Sequence, residues 1–328
     1  MKKIFVCYTP YHFFLAFIFK NRDEQDIIIF IDQYNKFSGF KEELNTIDNL
    51  TFIEYKNSKG IIKFNNYLNV LIKNENIKST GSIFLFNDRA IHTWIILNKI
   101  KPVNVFYIED GTSAYSNSKI SSSNIKKLML RVFSKIPVIK YEYIEVLGTS
   151  DFVDAGYYLY PSYVRVEHRA KPVFQFEKCS EKLNILKKMF LESDVLKKIS
   201  GEKVLVLLPG ARDRYFLMKF QEISKDIAAK HSQSMLMKKH PIEGESHPSQ
   251  NIHFLPSYYP AEAFIITNIS KVVIGSFTTT LHASKFMVED GIAVNIFTKE
   301  SKGKNINLYN FLSSIDVKQI EVDDNEFS

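Results

Sequence analysis

Three short segments carry the residue types of group-transfer chemistry. Glu109-Asp110-Gly111 follows the apolar run Val103 to Ile108 and precedes Thr112-Ser113-Ala114-Tyr115. A carboxylate at the mouth of a strand can take the proton of a hydroxyl. Lys238-Lys239-His240-Pro241 closes a second apolar segment. Pro241 holds residue 240 extended, and an imidazole fixed there can bind a phosphate or protonate one as it leaves. Lys238 and Lys239 add positive charge beside it. Gly275-Ser276-Phe277-Thr278-Thr279-Thr280 follows the strand-like run Lys271 to Ile274. Free N–H groups and hydroxyls at a helix start make an anion site.

Each segment also has a plainer reading. Asp-Gly after a strand is a common turn, and His240 alone would be a surface histidine. A single Ser or Thr satisfies an N-cap, but here there are four hydroxyls in five positions, 276–280, so phosphate binding is favoured. Pro209-Gly210 ends the first strand of the second half and offers Gly210 as a backbone contact to a nucleotide. Glu262, at the start of a helix, can accept hydrogen bonds from both ribose hydroxyls; its plain reading is a favourable charge in a first helical turn. His247 precedes Pro248 in a polar loop and is read as a surface residue. His282 lies one turn beyond Thr278, either behind the site or packed in its helix.

The elements that must position these groups alternate. Strands are predicted over Lys3 to Cys7, Asp26 to Ile31, Thr51 to Tyr55, Ile83 to Phe86 and Val103 to Ile108. Helices are predicted over Tyr11 to Lys20, Ile61 to Lys73 and Arg89 to Lys99. Near-continuous apolar strands are those of a sheet buried on both faces, and the alternation predicts a doubly wound α/β domain. Ser121-Ser122-Ser123 would cap a helix from Ile125 to Phe133, and Tyr141 to Leu147 reads as a strand. Alternation restarts with strands at Val204 to Leu208, Ser234 to Met237, Ile252 to Leu255, Val272 to Ile274 and Ile292 to Phe297. Helices at Arg214 to Lys230, Ala261 to Thr267 and Thr280 to Phe286 separate them. The aromatic stretch Tyr157 to Lys178 lacks periodicity, which places the boundary near Lys171-Pro172. The expectation is two Rossmann-like domains facing a cleft, 1–170 on the acceptor side and 171–328 on the nucleotide side. Acceptor contacts would come from Tyr11, His12, Asn87 and Arg89.

A chain of 328 residues has room for two such domains. The surplus of 43 Lys plus Arg over 36 Asp plus Glu fits an anionic small substrate or membrane surface. No basic run with interleaved aromatics suggests nucleic acid. Cys7 and Cys179 form no metal-ligand pattern, and Cys7 reads as a small buried hydrophobe. Polar Tyr8 to His12 interrupts the N-terminal apolar run, which reads as strand, loop and helix rather than a signal peptide. No run of about 18 apolar residues suggests a spanning helix. The expected location is cytoplasmic, with docking on the inner face of a membrane left open.

Taken in order, the acidic-acidic-Gly, His-Pro and Ser/Thr segments resemble the motifs of bacterial sialyltransferases of glycosyltransferase family 52 and the related bacterial polysialyltransferases. The opening Val6 to His12 is similar to the first strand and loop of those families. The resemblance spans roughly residues 3–297. It implies a GT-B fold and inverting, metal-independent transfer from CMP-sialic acid to a sugar hydroxyl of a glycan or glycolipid, with no cofactor. It implies that Glu109 or Asp110 is the base, with Glu109 favoured, and that His240 assists departure of CMP. Gly210, Lys239, Pro241, Ser276, Thr278 and Thr279 would surround the nucleotide, with Glu262 on its ribose. Glu in the first acidic position is as in the polysialyltransferase-like members, which leaves the acceptor class open. Alternatives are a CMP-Kdo, other nonulosonic acid or UDP-sugar transferase, an epimerase, or a non-catalytic nucleotide- or glycan-binding protein.

Overall fold

The computed structural model describes residues 2–23, 25–32, 44, 47, 51–56, 60–75, 77, 81–117, 144–210, 214–239, 253–256 and 259–323. The chain divides into two compact units, the first Met1–Phe37 with Asp48–Cys179 and the second Ser38–Ile47 with Ser180–Ser328.

The first unit is built on a seven-stranded sheet in the order β3-β2-β1-β4-β5-β6-β7. Its strands are β1 (Ile4–Cys7), β2 (Ile27–Asp32), β3 (Thr51–Lys56), β4 (Ser82–Leu85), β5 (Asn104–Ile108), β6 (Ala155–Tyr158) and β7 (Val173–Gln175). Every pairing is parallel. The helices are α1 (Pro10–Ile18), α2 (Gly60–Asn74) and α3 (Ile91–Ile100). Parallel strands need crossovers, and covering both sheet faces with helices explains why β1 and β2 are buried at every residue.

Helix α1 is apolar on all sides because Tyr11 to Ile18 are all buried. Pro10 starts it with a preset φ, and the Thr9 hydroxyl caps it by accepting from His12 N–H at 3.2 Å. Cys7 is buried in β1, and burial pushes its thiol well above the usual pKa.

The second unit holds a six-stranded parallel sheet in the order β10-β9-β8-β11-β12-β13. Its strands are β8 (Lys203–Leu207), β9 (Ser234–Lys238), β10 (His253–Phe254), β11 (Val272–Gly275), β12 (Ile292–Thr298) and β13 (Lys318–Val322). The helices are α4 (Ser180–Leu191), α5 (Asp194–Lys197), α6 (Arg214–Lys230), α7 (Ala261–Ile266), α8 (Thr279–Met287), α9 (Lys299–Lys304) and α10 (Ile306–Ser314). Val206, Phe220, Met237, Ile274 and Ile296 form the centre of its core. Both sheets reverse direction at their first strand, the strand order of dinucleotide-binding Rossmann folds.

Three expectations need correction. The strand expected over Tyr141 to Leu147 is absent from its described part, 144–147, where residues 145–147 are bends and a turn. Ile144, Val146 and Leu147 are buried as a loop, and Gly148 turns the chain at φ 84°. The boundary falls after Cys179 rather than at residue 170. There β7 adds to the edge of the first sheet, and Cys179 N–H donates to the Ile18 carbonyl at 2.7 Å. Finally, β7 and the second half of β6 lie inside the stretch that lacked periodicity, being short and aromatic. The predicted helix Ile125 to Phe133 and its Ser121-Ser122-Ser123 cap lie outside the described residues. Among the described residues no helix is long and apolar enough to cross a membrane.

Two core histidines set an acid limit on stability. His92 on α3 meets the Phe64 ring edge-on at 4.7 Å, and His168 hydrogen-bonds the Tyr158 hydroxyl at 2.9 Å. Burial lowers each from 6.5 to about 4. Above pH 6.5 both are neutral in either state. As pH falls from 6.5 through about 4 the unfolded chain takes up protons that the folded chain refuses, so this stability is lost, by up to about 3 kcal/mol per histidine. His92→Leu is expected to flatten the pH dependence of urea unfolding in that window. An unchanged slope would contradict the assignment.

Candidate active site

Most of the chemistry-bearing residues of both sheets lie at the carboxyl ends of strands that flank, or lie one strand from, the point where strand order reverses, where open α/β folds bind ligands. In the first unit the reversal lies between β1 and β4. Tyr11 and His12 follow β1, Asn87 and Arg89 follow β4, and Glu109 and Asp110 follow β5.

The two acids separate as adjacent residues leaving a strand should. Glu109 is fully buried. Its Oε1 accepts from the Tyr11 hydroxyl at 3.1 Å, and its Oε2 accepts from Leu159 N–H at 2.7 Å and from the Tyr115 hydroxyl. The Tyr115 hydroxyl in turn accepts from Tyr160 N–H at 3.1 Å. Burial, then the adjacent Glu109 carboxylate, raises the Tyr115 pKa well above the usual phenol value, so Tyr115 stays a donor.

Asp110 keeps a side chain that is 22% exposed. Its Oδ1 meets Nε2 of His12. The other ring nitrogen, Nδ1, accepts from Tyr8 N–H at 3.2 Å. A nitrogen that accepts carries no proton, so neutral His12 holds its proton on Nε2 and donates it to Asp110. The imidazole is buried and stacks on Phe86, centroids 4.6 Å apart. Asp110 N–H is fixed by the Tyr107 hydroxyl at 3.0 Å. Gly111 follows at φ 84°, a conformation that suits glycine and that turns the chain into a short 3-10 helix, Gly111–Ala114.

The Asn87 side-chain oxygen accepts from the N–H groups of Arg89 and Ala90 at 3.1 and 3.0 Å, so it braces the turn before α3. Arg89 lies half-buried in the same turn. Asp88 between them is wholly buried and accepts from Gly148 N–H at 2.9 Å and Ser150 N–H at 3.1 Å. Burial raises its pKa, against the lowering effect of Ser150 and Gly148.

In the second unit Gly210 follows β8, Lys239 follows β9, Glu262 lies buried in the first turn of α7, and Ser276, Thr278 and Thr279 join β11 to α8. His240 and Pro241 lie outside the described residues, as do His247 and Pro248. Lys238 is not a free charge for a ligand: it is buried, and its Nζ donates to the Tyr259 carbonyl at 2.7 Å. His282 is packed inside its unit against Phe311. Ser276 Oγ is buried and makes no hydrogen bond within the described residues. Among the described residues no three His, Cys, Asp or Glu side chains gather as a metal site would require.

Sequence reading missed Tyr115, Asp88 and Asn295 as organising residues. Asn295 had a signal: an amide inside the apolar strand Ile292–Thr298 demands buried partners.

No protein-family model and no curated protein sequence matches the chain. Solved structures do. The UDP-GlcNAc 2-epimerase of Methanocaldococcus jannaschii aligns over 99% of this chain and 89% of its own, with a TM-score of 0.51 at 12% identity. A sialyltransferase from Photobacterium damsela aligns over 98% of this chain and 81% of its own, with a TM-score of 0.48 at 13% identity. The chain has the GT-B type of fold. At these identities the likeness is one of fold alone.

Proposed function

We propose that the chain is an inverting glycosyltransferase that moves sialic acid from CMP-sialic acid to a terminal sugar hydroxyl of a bacterial surface glycan, a lipooligosaccharide or a capsule. The observation that carries the reading is Asp110, a partly exposed carboxylate after β5 oriented by the buried His12, which follows β1 at the strand-order reversal of the first sheet. The order of the acidic, His-Pro and hydroxyl segments supports it.

In this reading Asp110 is the base. His12 holds one carboxylate oxygen through its Nε2 proton, which directs the other at the acceptor hydroxyl. Tyr11 and Glu109 fix the framework around it. The anomeric carbon takes the acceptor oxygen as its bond to the CMP phosphate breaks, and Asp110 receives the hydroxyl proton. The departing phosphate gains negative charge. His240, Ser276, Thr278, Thr279 and the α8 N–H groups stabilise it, with Glu262 on the ribose and Gly210 and Lys239 at the nucleotide. No metal or further cofactor takes part. The reaction belongs on the cytoplasmic face of the inner membrane, where a nucleotide sugar meets a glycolipid acceptor.

Incubation with CMP-sialic acid and a lactose-terminated acceptor, followed by product analysis, tests the reading. The expected products are a sialylated acceptor and CMP. Transfer only from CMP-Kdo or a UDP-sugar would overturn the donor assignment. Release of free sugar without an acceptor would indicate an epimerase, and binding of CMP without turnover a non-catalytic protein.

A further inference from the structure

Asn295 is an amide in the middle of β12 and is wholly buried. Such a group persists only when its polar atoms are paired. In register it lies between Gly275 on β11 and Gln319 on β13. Its Nδ2 donates to Gln319 Oε1 at 2.8 Å, which leaves Oδ1 aimed the other way, where it accepts from Phe277 N–H at 2.8 Å. Gln319 is itself fixed, its Nε2 donating to the Val317 carbonyl at 2.9 Å.

The residue at the end of this relay is out of the ordinary. Phe277 has φ 46°, a left-handed conformation costly for a bulky side chain and sustained only by surrounding structure. It sits between Ser276, whose Oγ is buried without a hydrogen bond, and Thr278, the residue that opens α8. Thr278 does not cap the helix with its side chain. Its methyl instead lies over Gly275, where an added Cβ would come within 2.5 Å of it. The turn is therefore held from β12 and folded against β11, while the first N–H groups of α8 are left uncapped by Thr278.

We propose that Asn295 is a positioning residue for donor binding: it holds Phe277 in the left-handed turn that brings the Ser276 hydroxyl and the α8 N-terminus together on one phosphate. This rests on the reading of 276–279 as the phosphate site of a CMP-sugar. Asn295 touches no part of the donor and acts through the turn.

Affinities of the full chain for CMP and for cytidine, measured by calorimetry, test it. The wild-type chain is expected to bind CMP more tightly than cytidine. Asn295→Ala is expected to weaken CMP by about tenfold or more and to leave cytidine within about twofold. Adding Phe277→Gly, which enters the left-handed region without strain, is expected to recover part of the lost CMP affinity. If Asn295→Ala does not fold, Gln319→Leu removes the partner that orients the amide and is expected to give a smaller loss with the same selectivity. Equal loss of both ligands, or no loss of either, would overturn the positioning role while CMP binding by the wild type stands. No CMP binding by the wild-type chain would overturn the functional reading and this role with it.

Discussion

Asp110→Asn is expected to lower kcat for sialyl transfer by about 10²–10⁴-fold while the thermal unfolding midpoint stays where it is. The amide is close to isosteric with the carboxylate and can still accept the His12 Nε2 proton, so the contact that places residue 110 survives. What is lost is the capacity to take a proton from the acceptor hydroxyl. Its side chain is partly open to solvent, so the substitution strands no buried donor. Binding of CMP should be unaffected. Steady-state kinetics beside a melting curve checks both halves, and transfer at the wild-type rate would remove Asp110 from the mechanism.

Glu109→Ala should have the opposite signature. The carboxylate gathers Tyr11 from α1, Tyr115 from just beyond the short helix after the motif, and the Leu159 N–H beyond β6. All three donors are buried, and each costs about 1–3 kcal/mol when left without an acceptor. A loss of about 3–5 kcal/mol in urea unfolding is expected, at the upper end for single substitutions. Glu109→Gln retains one acceptor oxygen but turns an N–H₂ toward groups that also donate, so it should fall between. Activity per folded molecule is expected to drop far less than in Asp110→Asn. A Glu109→Gln chain that melts like the wild type and has no activity would make Glu109 the base.

That division of labour between neighbours could not be read from Glu109-Asp110-Gly111. Adjacent residues leaving a strand face opposite ways, but which way is inward depends on α1 and on the chain after β6. Tyr11 lies 98 residues from Glu109 in sequence, and His12 equally far from Asp110. Their residue types drew attention to the right loops, whereas their pairing comes from the parallel register of β1, β4 and β5. The fold class was legible for a simpler reason. Runs such as Ile27 to Ile31 and Val204 to Leu207 are apolar at every position because both sheet faces are covered. Strands β6 and β7 escaped notice because Ala155–Tyr158 and Val173–Gln175 are too short for any period to show. Gly156 in β6 has its own constraint, since a Cβ there would meet the Tyr158 ring at 2.5 Å. The signal from Lys238 misled because a cation that braces a carbonyl looks, in a sequence, like one awaiting a ligand.

The place of β1 has a consequence for biosynthesis. Strand β1 precedes both of its sheet neighbours in the chain yet ends in mid-sheet, with Ile4 paired to Ile27 on one side and Ile83 on the other. Translation delivers that second neighbour only after the apolar run Phe13 to Ile18 has long since emerged. Until then the segment destined for the centre of the domain has nothing to cover it, and residues up to Gln175 must follow before the sheet gains its last strand. During synthesis this apolar segment is thus exposed for as long as its sheet neighbours are missing, an interval in which aggregation competes with folding.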